Sequence, residues 1–328
     1  MKAGYFRAPL EALDDPARVM IKTASAHRNA RPNGFPRSFE TSVKKLRRSG
    51  FKDLGSVPTP GHLMPFPSKR DIPLIHPEYL NFFAQGNGFA QYAEEVHRFV
   101  IEKADKLVPI MFGIDHSSTF GALKAVAEKC AGPLALLVLD AHFDAIPVAI
   151  RSSGAEGAGG DEMGCGNFLD SVFKEKLVRI DRAIVAGVSD YPGNATDKGE
   201  AKFKKYYEGL VRKGTRVIKK SGLEKSTDPI REAIGGLKAK HIYISIDADV
   251  IAGAVTGASR FYDSAGLGEK TFLNLGGAIN DSIKKRGLVI AGMDVMELDP
   301  YKLGLKFKDG RKDRTLEVIL KFIERIIK

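Results

Sequence analysis

Three short stretches place acids and imidazoles at spacings that could bind metal. DAHFD (140–144) carries Asp140, His142 and Asp144, SIDAD (245–249) carries Asp247 and Asp249, and GIDHS (113–117) carries Asp115 and His116. A fourth, ELDP (297–300), supplies Glu297. Each follows an apolar run. For one such stretch a solvated polar loop is the simpler reading, but repetition behind several strands argues for a shared site. Four ionised aspartates within a few ångströms would repel by several kcal/mol unless they take up protons or meet cations. Two divalent ions bring four positive charges against those four negative ones. Oxygen-rich ligation with one or two imidazoles suits Mn²⁺ better than the sulfur-rich sites of structural zinc. Two ions about 3.5–4 Å apart would share a water and lower its pKa towards neutrality.

The elements that must position these residues alternate. LVPIMFG (107–113), LALLVLD (134–140), RAIVAGV (182–188), HIYISID (241–247) and LVIAGMDV (288–295) read as buried strands. Between them lie helical spacings; the last begins at Thr315 and puts Leu316, Ile319, Leu320, Ile323, Ile326 and Ile327 on one face. This alternation predicts a parallel sheet covered on both faces. In such a sheet the carboxyl ends of all strands share one edge, where ligands bind. Alternation along an extended chain predicts that Asp140, His142 and Asp144 project to one side, as do Asp247 and Asp249. Segments 31–38 and 58–73 are Pro-rich and read as loops around the sheet edge or over a cleft. The Gly-rich segment 151–166 reads as a long connection beside the polar cluster.

Composition sets bounds. The 328 residues are 43% hydrophobic and 28% charged, enough for a substantial core and without the polar bias of disorder. No run is long enough to span a bilayer, the first residues lack a signal-peptide core, and there are only two cysteines, Cys130 and Cys165. These features predict a cytoplasmic protein with no membrane partner. The net charge of +11 raises the question of nucleic acid, but the basic residues are scattered and read as a solvated surface.

Taken together, GIDHS, DAHFD, SIDAD and ELDP resemble the arginase/agmatinase (ureohydrolase) family, whose motifs run G-G-D-H-S, D-A-H-x-D, S-[FI]-D-x-D and E-[LVM]-N-P. The resemblance implies a single arginase-like domain over 1–328: a three-layer α/β/α sandwich around a mostly parallel sheet of about eight strands. Its metal-site core is recognisable over 105–328, while 1–104 diverges and lacks a clear counterpart to the usual opening strand and loop. It implies two Mn²⁺ per chain, held by His116, Asp140, His142, Asp144, Asp247 and Asp249. It implies that Glu297 holds the cationic guanidinium or amidinium group of a small substrate, that water attacks its central carbon, and that an amine leaves. It further implies a homo-oligomer, a trimer or hexamer.

Departures accompany the likeness. Where the family often carries a His-Gly pair downstream of D-A-H-x-D, this chain has Cys165 and Gly166, and Cys165 reads either as a catalytic thiol or as a small buried residue. Segment 251–261 keeps Thr256 and Gly257 without the usual prolines, so recognition of the substrate's tail is not inherited. Asp299 replaces an Asn and is expected to play a supporting structural part. Asp115 is expected to support His116 or cap the following helix, Asp294 to be a satisfied structural carboxylate, and Asp161 and Glu162 to lie in a solvated loop. Of candidate substrates agmatine stands first, followed by arginine, guanidino acids and formimino compounds. Two alternatives remain open: a deformylase-, deacetylase- or formimino-type amidohydrolase on the same fold, and a non-catalytic basic binding protein that keeps the metals for stability.

Overall fold

The computed structural model describes residues 2–13, 15–145, 163–189, 198–251, 253, 256–261, 266–307 and 310–327. Eight strands form one sheet: β1 (Ala3–Ala8), β2 (Lys52–Ser56), β3 (Val108–Gly113), β4 (Leu134–Leu139), β5 (Ala183–Val188), β6 (Arg216–Lys219), β7 (His241–Asp247) and β8 (Val289–Met296). Their order is β2-β1-β3-β8-β7-β4-β5-β6, and every neighbouring pair is parallel.

The central strands are mostly apolar because both faces are covered. In β4, Ala135, Leu137 and Leu139 enter one core while Leu134, Leu136 and Val138 enter the other. The first core is closed by α2 (Arg37–Arg48), α9 (Asp228–Gly235), α10 (Glu269–Arg286) and α11 (Thr315–Ile327). The second is closed by α4 (Gly88–Lys103), α5 (Ser118–Lys129), α6 (Phe168–Lys174) and α7 (Lys198–Arg212). The three-layer sandwich follows. In α11, Leu316, Ile319, Leu320, Ile323 and Ile326 are all buried, as their spacing requires. The remaining helices are α1 (Pro16–Ala26), α3 (Pro77–Gln85) and α8 (Lys220–Lys225). No helix among the described residues is long and apolar enough to cross a membrane.

Three strands, β1, β2 and β6, have no apolar run to announce them. Strands β2 and β6 are sheet edges, covered less fully and free to carry polar side chains. Strand β1 is interrupted by Arg7, whose guanidinium is held between Glu40 (2.6 Å) and Asp53 (2.7 Å). The N-terminal third therefore contributes strands to the sheet as well as loops around it. The Gly-rich segment lies outside the described residues over 151–162, and Asp161 and Glu162 with it.

The strand order places β3, β8, β7 and β4 side by side at the centre. These four strands precede GIDHS, ELDP, SIDAD and DAHFD, so topology alone gathers the four polar segments at one edge.

Candidate metal centre and substrate cavity

His116 leaves β3 after Ile114 and Asp115. Asp115 accepts the backbone N–H and the hydroxyl of Ser117 (3.1 and 2.6 Å), fixing the turn into α5. It therefore shapes the turn just before the helix and does not bond to the imidazole. The His116 ring stacks on Phe168, with centroids 4.3 Å apart. Its Nε2 lies 2.9 Å from Ser245 Oγ, and that hydroxyl donates to Asp294 Oδ1 at 2.6 Å. Asp294 also accepts from the Tyr243 hydroxyl at 2.8 Å. The β7–β8 register sets Ser245 opposite Asp294, so this relay is built into the sheet. With the Ser245 hydroxyl donating to Asp294, Ser245 accepts from Nε2–H, so in the neutral imidazole Nδ1 is the nitrogen with the lone pair.

That nitrogen faces carboxylates: Asp247 Oδ2 at 3.0 Å, Asp144 Oδ2 at 3.2 Å and Asp140 Oδ2 at 3.5 Å. A second group adjoins the first. His142 Nδ1 lies 2.7 Å from Asp249 Oδ2 and 3.7 Å from Asp140 Oδ1. In each group the ligand atoms lie within 4.8 Å of one another, and Asp140 belongs to both.

The i, i+2 spacing works differently from simple strand alternation. Beyond Leu139 the chain is no longer extended, and Asp144 adopts a left-handed φ of 45°. Asp249 lies in the 3₁₀ turn Ala248–Val250, whose start is capped by Asp247 accepting the Asp249 N–H at 2.9 Å. Asp247 therefore enters the first group and Asp249 the second; turns, not a pleat, distribute the ligands.

Burial makes the arrangement electrostatically costly. Burial and then repulsion from Asp247, Asp249 and Asp144 push the Asp140 carboxyl well above the carboxylate range. Burial and the neighbouring Asp249 push Asp247 up to about 7, against the pull of His116. Burial disfavours the His116 imidazolium, yet Asp144 and Asp247 outweigh it and hold its pKa well above the usual value. His116 Nδ1, Asp140 Oδ2 and Asp249 Oδ2 are buried without a hydrogen-bond partner. Orphaned lone pairs converging on two points, with excess negative charge, fit bound cations.

Glu297 follows β8 with a left-handed φ of 56°. Its Oε1 accepts the His116 backbone N–H at 2.9 Å, while Oε2 has no hydrogen-bond partner. A cavity of about 260 Å³ is lined by Glu297, His142, Asp144, Asp247, Asp249, Cys165, Gly166 and Phe261. Of the predicted site residues, Glu297, Cys165, His142, Asp144, Asp247 and Asp249 line this cavity, while His116 and Asp140 are fully buried and do not line it.

A sequence model of the arginase family matches residues 20–325, nearly the whole chain. The chain belongs to the arginase family. The match begins well before the 105–328 span that carries the motifs. Arginase 1, mitochondrial, from Oryza sativa subsp. indica is 24% identical over 205 residues, covering 62% of this chain and 51% of that protein. Proclavaminate amidinohydrolase from Streptomyces clavuligerus is 29% identical over 196 residues, 58% of this chain and 54% of its own. The chain thus spans about half the length of the curated relatives it matches. The arginase crystal structure from Bacillus subtilis superposes with a TM-score of 0.64 at 17% identity, covering 100% of this chain and 98% of that one, which shows a shared fold. Members of the arginase family are hydrolases of non-peptide C–N bonds in linear amidines.

Cys165 opens the 3₁₀ turn Cys165–Asn167 and lines the cavity. Its thiol lies close to Asp115 and Glu297. Burial, then those two carboxylates, push its pKa well up, so the thiol keeps its proton at neutral pH. Asp299 accepts both arms of Arg18 (3.1 and 3.0 Å) and ties α1 to the segment after β8. Asp294 is satisfied by Tyr243 and Ser245. Sequence reasoning did not single out Ser245, Phe168, Phe261 or Arg260. Ser245 lies in SIDAD, and Arg260 and Phe261 lie in 251–261, but the partners of each cannot be read from its own segment.

Proposed function

We propose that this chain is a binuclear manganese hydrolase that cleaves a C–N bond in a small linear guanidino or amidino compound. The observation that carries the reading is the shared Asp140, which joins two imidazole–carboxylate groups beside a cavity that Glu297 also enters. In this reading His116, Asp140, Asp144 and Asp247 hold one ion, and Asp140, His142 and Asp249 the other. The donor set, oxygen-rich with one imidazole per group, suits Mn²⁺. When bound, such a pair lowers the pKa of a shared water towards neutrality.

The chain's own residues supply the rest. Glu297 Oε2 accepts an N–H of the substrate's planar cation, while Oε1 stays tied to the backbone of His116. Phe261 gives the cavity an apolar wall. Cys165, held protonated, is a poor nucleophile and fits a proton-holding wall of the site. Cys130 and Cys165 are free thiols, which suits a reducing compartment such as the cytoplasm.

One observation favours a second reading. Arg260 Nη1 stands 3.4 Å from Glu297 Oε2 and offsets the charge a cationic group would seek, which favours cleavage of a neutral amide on the same scaffold. A panel of agmatine, arginine, guanidino acids, formimino compounds and simple amides, assayed with Mn²⁺ for urea, ammonia and acid release, separates the two. The first reading expects guanidine or amidine cleavage that falls by roughly 100-fold or more in Glu297→Gln. Cleavage of amides alone, insensitive to that change, contradicts it.

A further inference from the structure

Arg260 lies in the segment between β7 and α10, and its side chain is fully buried. Its Nη1 donates to the Ile114 carbonyl at 2.8 Å and to Asp115 Oδ2 at 3.0 Å, and faces Glu297 Oε2 at 3.4 Å. Its backbone N–H donates to the Glu297 carbonyl at 2.9 Å. On the other side Nη2 stands 3.9 Å from Glu11 Oε1, and Arg18, which holds Asp299, reaches the Arg260 carbonyl. One guanidinium therefore touches the end of β3 just before His116, the residue after β8 by side chain and backbone, and the N-terminal segment after β1. A buried guanidinium is costly to desolvate and is retained only against acceptors of this kind.

We propose that Arg260 is the positioning residue for Glu297, bridging the ends of β3 and β8 so that the free carboxylate oxygen of Glu297 is held at a fixed place in the cavity. This rests on the reading of Glu297 as the substrate's carboxylate. The left-handed backbone at Glu297 is held by the Arg260 N–H, and its Oε2 lies 3.4 Å from Arg260 Nη1, while Arg260 Nε and Nη2 make no hydrogen bond. A lysine brings the charge but neither the planar fork nor the simultaneous reach to Ile114 and Asp115. In the same arrangement Glu11 is the outer counter-charge of Arg260 and Arg18 reaches the Arg260 carbonyl, which gives the N-terminal segment a part in the site.

The test compares Mn²⁺-loaded wild type with Arg260→Lys, Arg260→Met and Arg260→Ala on the guanidino compound that wild type cleaves fastest, with metal content measured in parallel. The expected result is a KM raised by about tenfold or more in Arg260→Lys and Arg260→Met, with a smaller change in kcat and unchanged metal content. Millimolar guanidinium or methylguanidinium then restores KM in Arg260→Ala, which has the vacant space, and not in Arg260→Met. Thermal unfolding without metal gives a readout independent of turnover: the same cations raise the Tm of Arg260→Ala by more than they raise that of wild type or Arg260→Met. A wild-type KM in Arg260→Lys overturns the proposal, as does loss of metal in step with activity or absence of rescue in both assays. If wild type cleaves no guanidino compound, the functional reading fails by itself, and the unfolding experiment still decides whether this pocket is built for a guanidinium.

Discussion

Asp140 presents one carboxylate oxygen to His116 Nδ1 at 3.5 Å and the other to His142 Nδ1 at 3.7 Å. A single side chain thus belongs to both imidazole groups, and the two cannot be altered independently through it. Asp140→Asn is expected to abolish binding of both ions, whereas Asp249→Asn removes only the ion beside His142. Metal content after dialysis against Mn²⁺ distinguishes these outcomes; equal loss in the two variants contradicts the shared role of Asp140.

The relay from His116 through Ser245 to Asp294 fixes which imidazole nitrogen faces the carboxylates. Removing an outer partner of a ligating imidazole typically lowers metal affinity by about 10- to 100-fold. Ser245→Ala and Asp294→Asn are each expected to weaken Mn²⁺ binding in that range without unfolding the chain. A competition titration with a chelating dye measures it, and affinities equal to wild type refute the relay.

Gly187 in β5 has a φ of +107°, and a Cβ there would stand 2.9 Å from the Asp140 carbonyl oxygen and 2.6 Å from Val250 Cγ2. Backbone strain and overpacking act together, so Gly187→Ala should destabilise the fold by about 2–4 kcal/mol in urea unfolding. Because the crowded atoms belong to Asp140 and its neighbours, metal binding should weaken as well. Stability within about 0.5 kcal/mol of wild type would show that the strand accommodates the methyl freely.

Lys22 is buried in α1 and donates to the Glu11 carbonyl. Burial pulls its pKa down from 10.5 to about 8, against the attraction of Glu11. Between those values the unfolded chain holds a proton that the folded chain has released, so stability rises with pH across that window. The lowered value corresponds to about 3 kcal/mol gained by its upper end. Lys22→Met should flatten that rise, as read from urea midpoints across the window; an unchanged slope rules out Lys22 as its source.

Legibility in the sequence followed burial. Strands β3, β4, β5, β7 and β8 are covered on both faces and announce themselves as apolar runs, and the ligand types stand immediately after four of them. The pattern fails where a strand is an edge or holds an internal ion pair: β2 and β6 carry polar residues outward, and β1 contains Arg7 between Glu40 and Asp53. The candidate ligand residues were legible while their grouping was not, because the pairing of Asp249 with His142 depends on a 3₁₀ turn and that of Asp144 with His116 on a left-handed residue. Arg260 was illegible for a related reason. A buried arginine reads like any surface arginine until Ile114, Asp115 and Glu297, all distant in sequence, are folded around it.

Equilibrium dialysis of the purified chain against Mn²⁺, followed by elemental analysis, is the most direct test of the metal centre. The paired groups around Asp140 predict close to two ions per chain. Fewer than one ion per folded chain would mean that these buried carboxylates are kept in place by protons alone, and the binuclear account would be wrong.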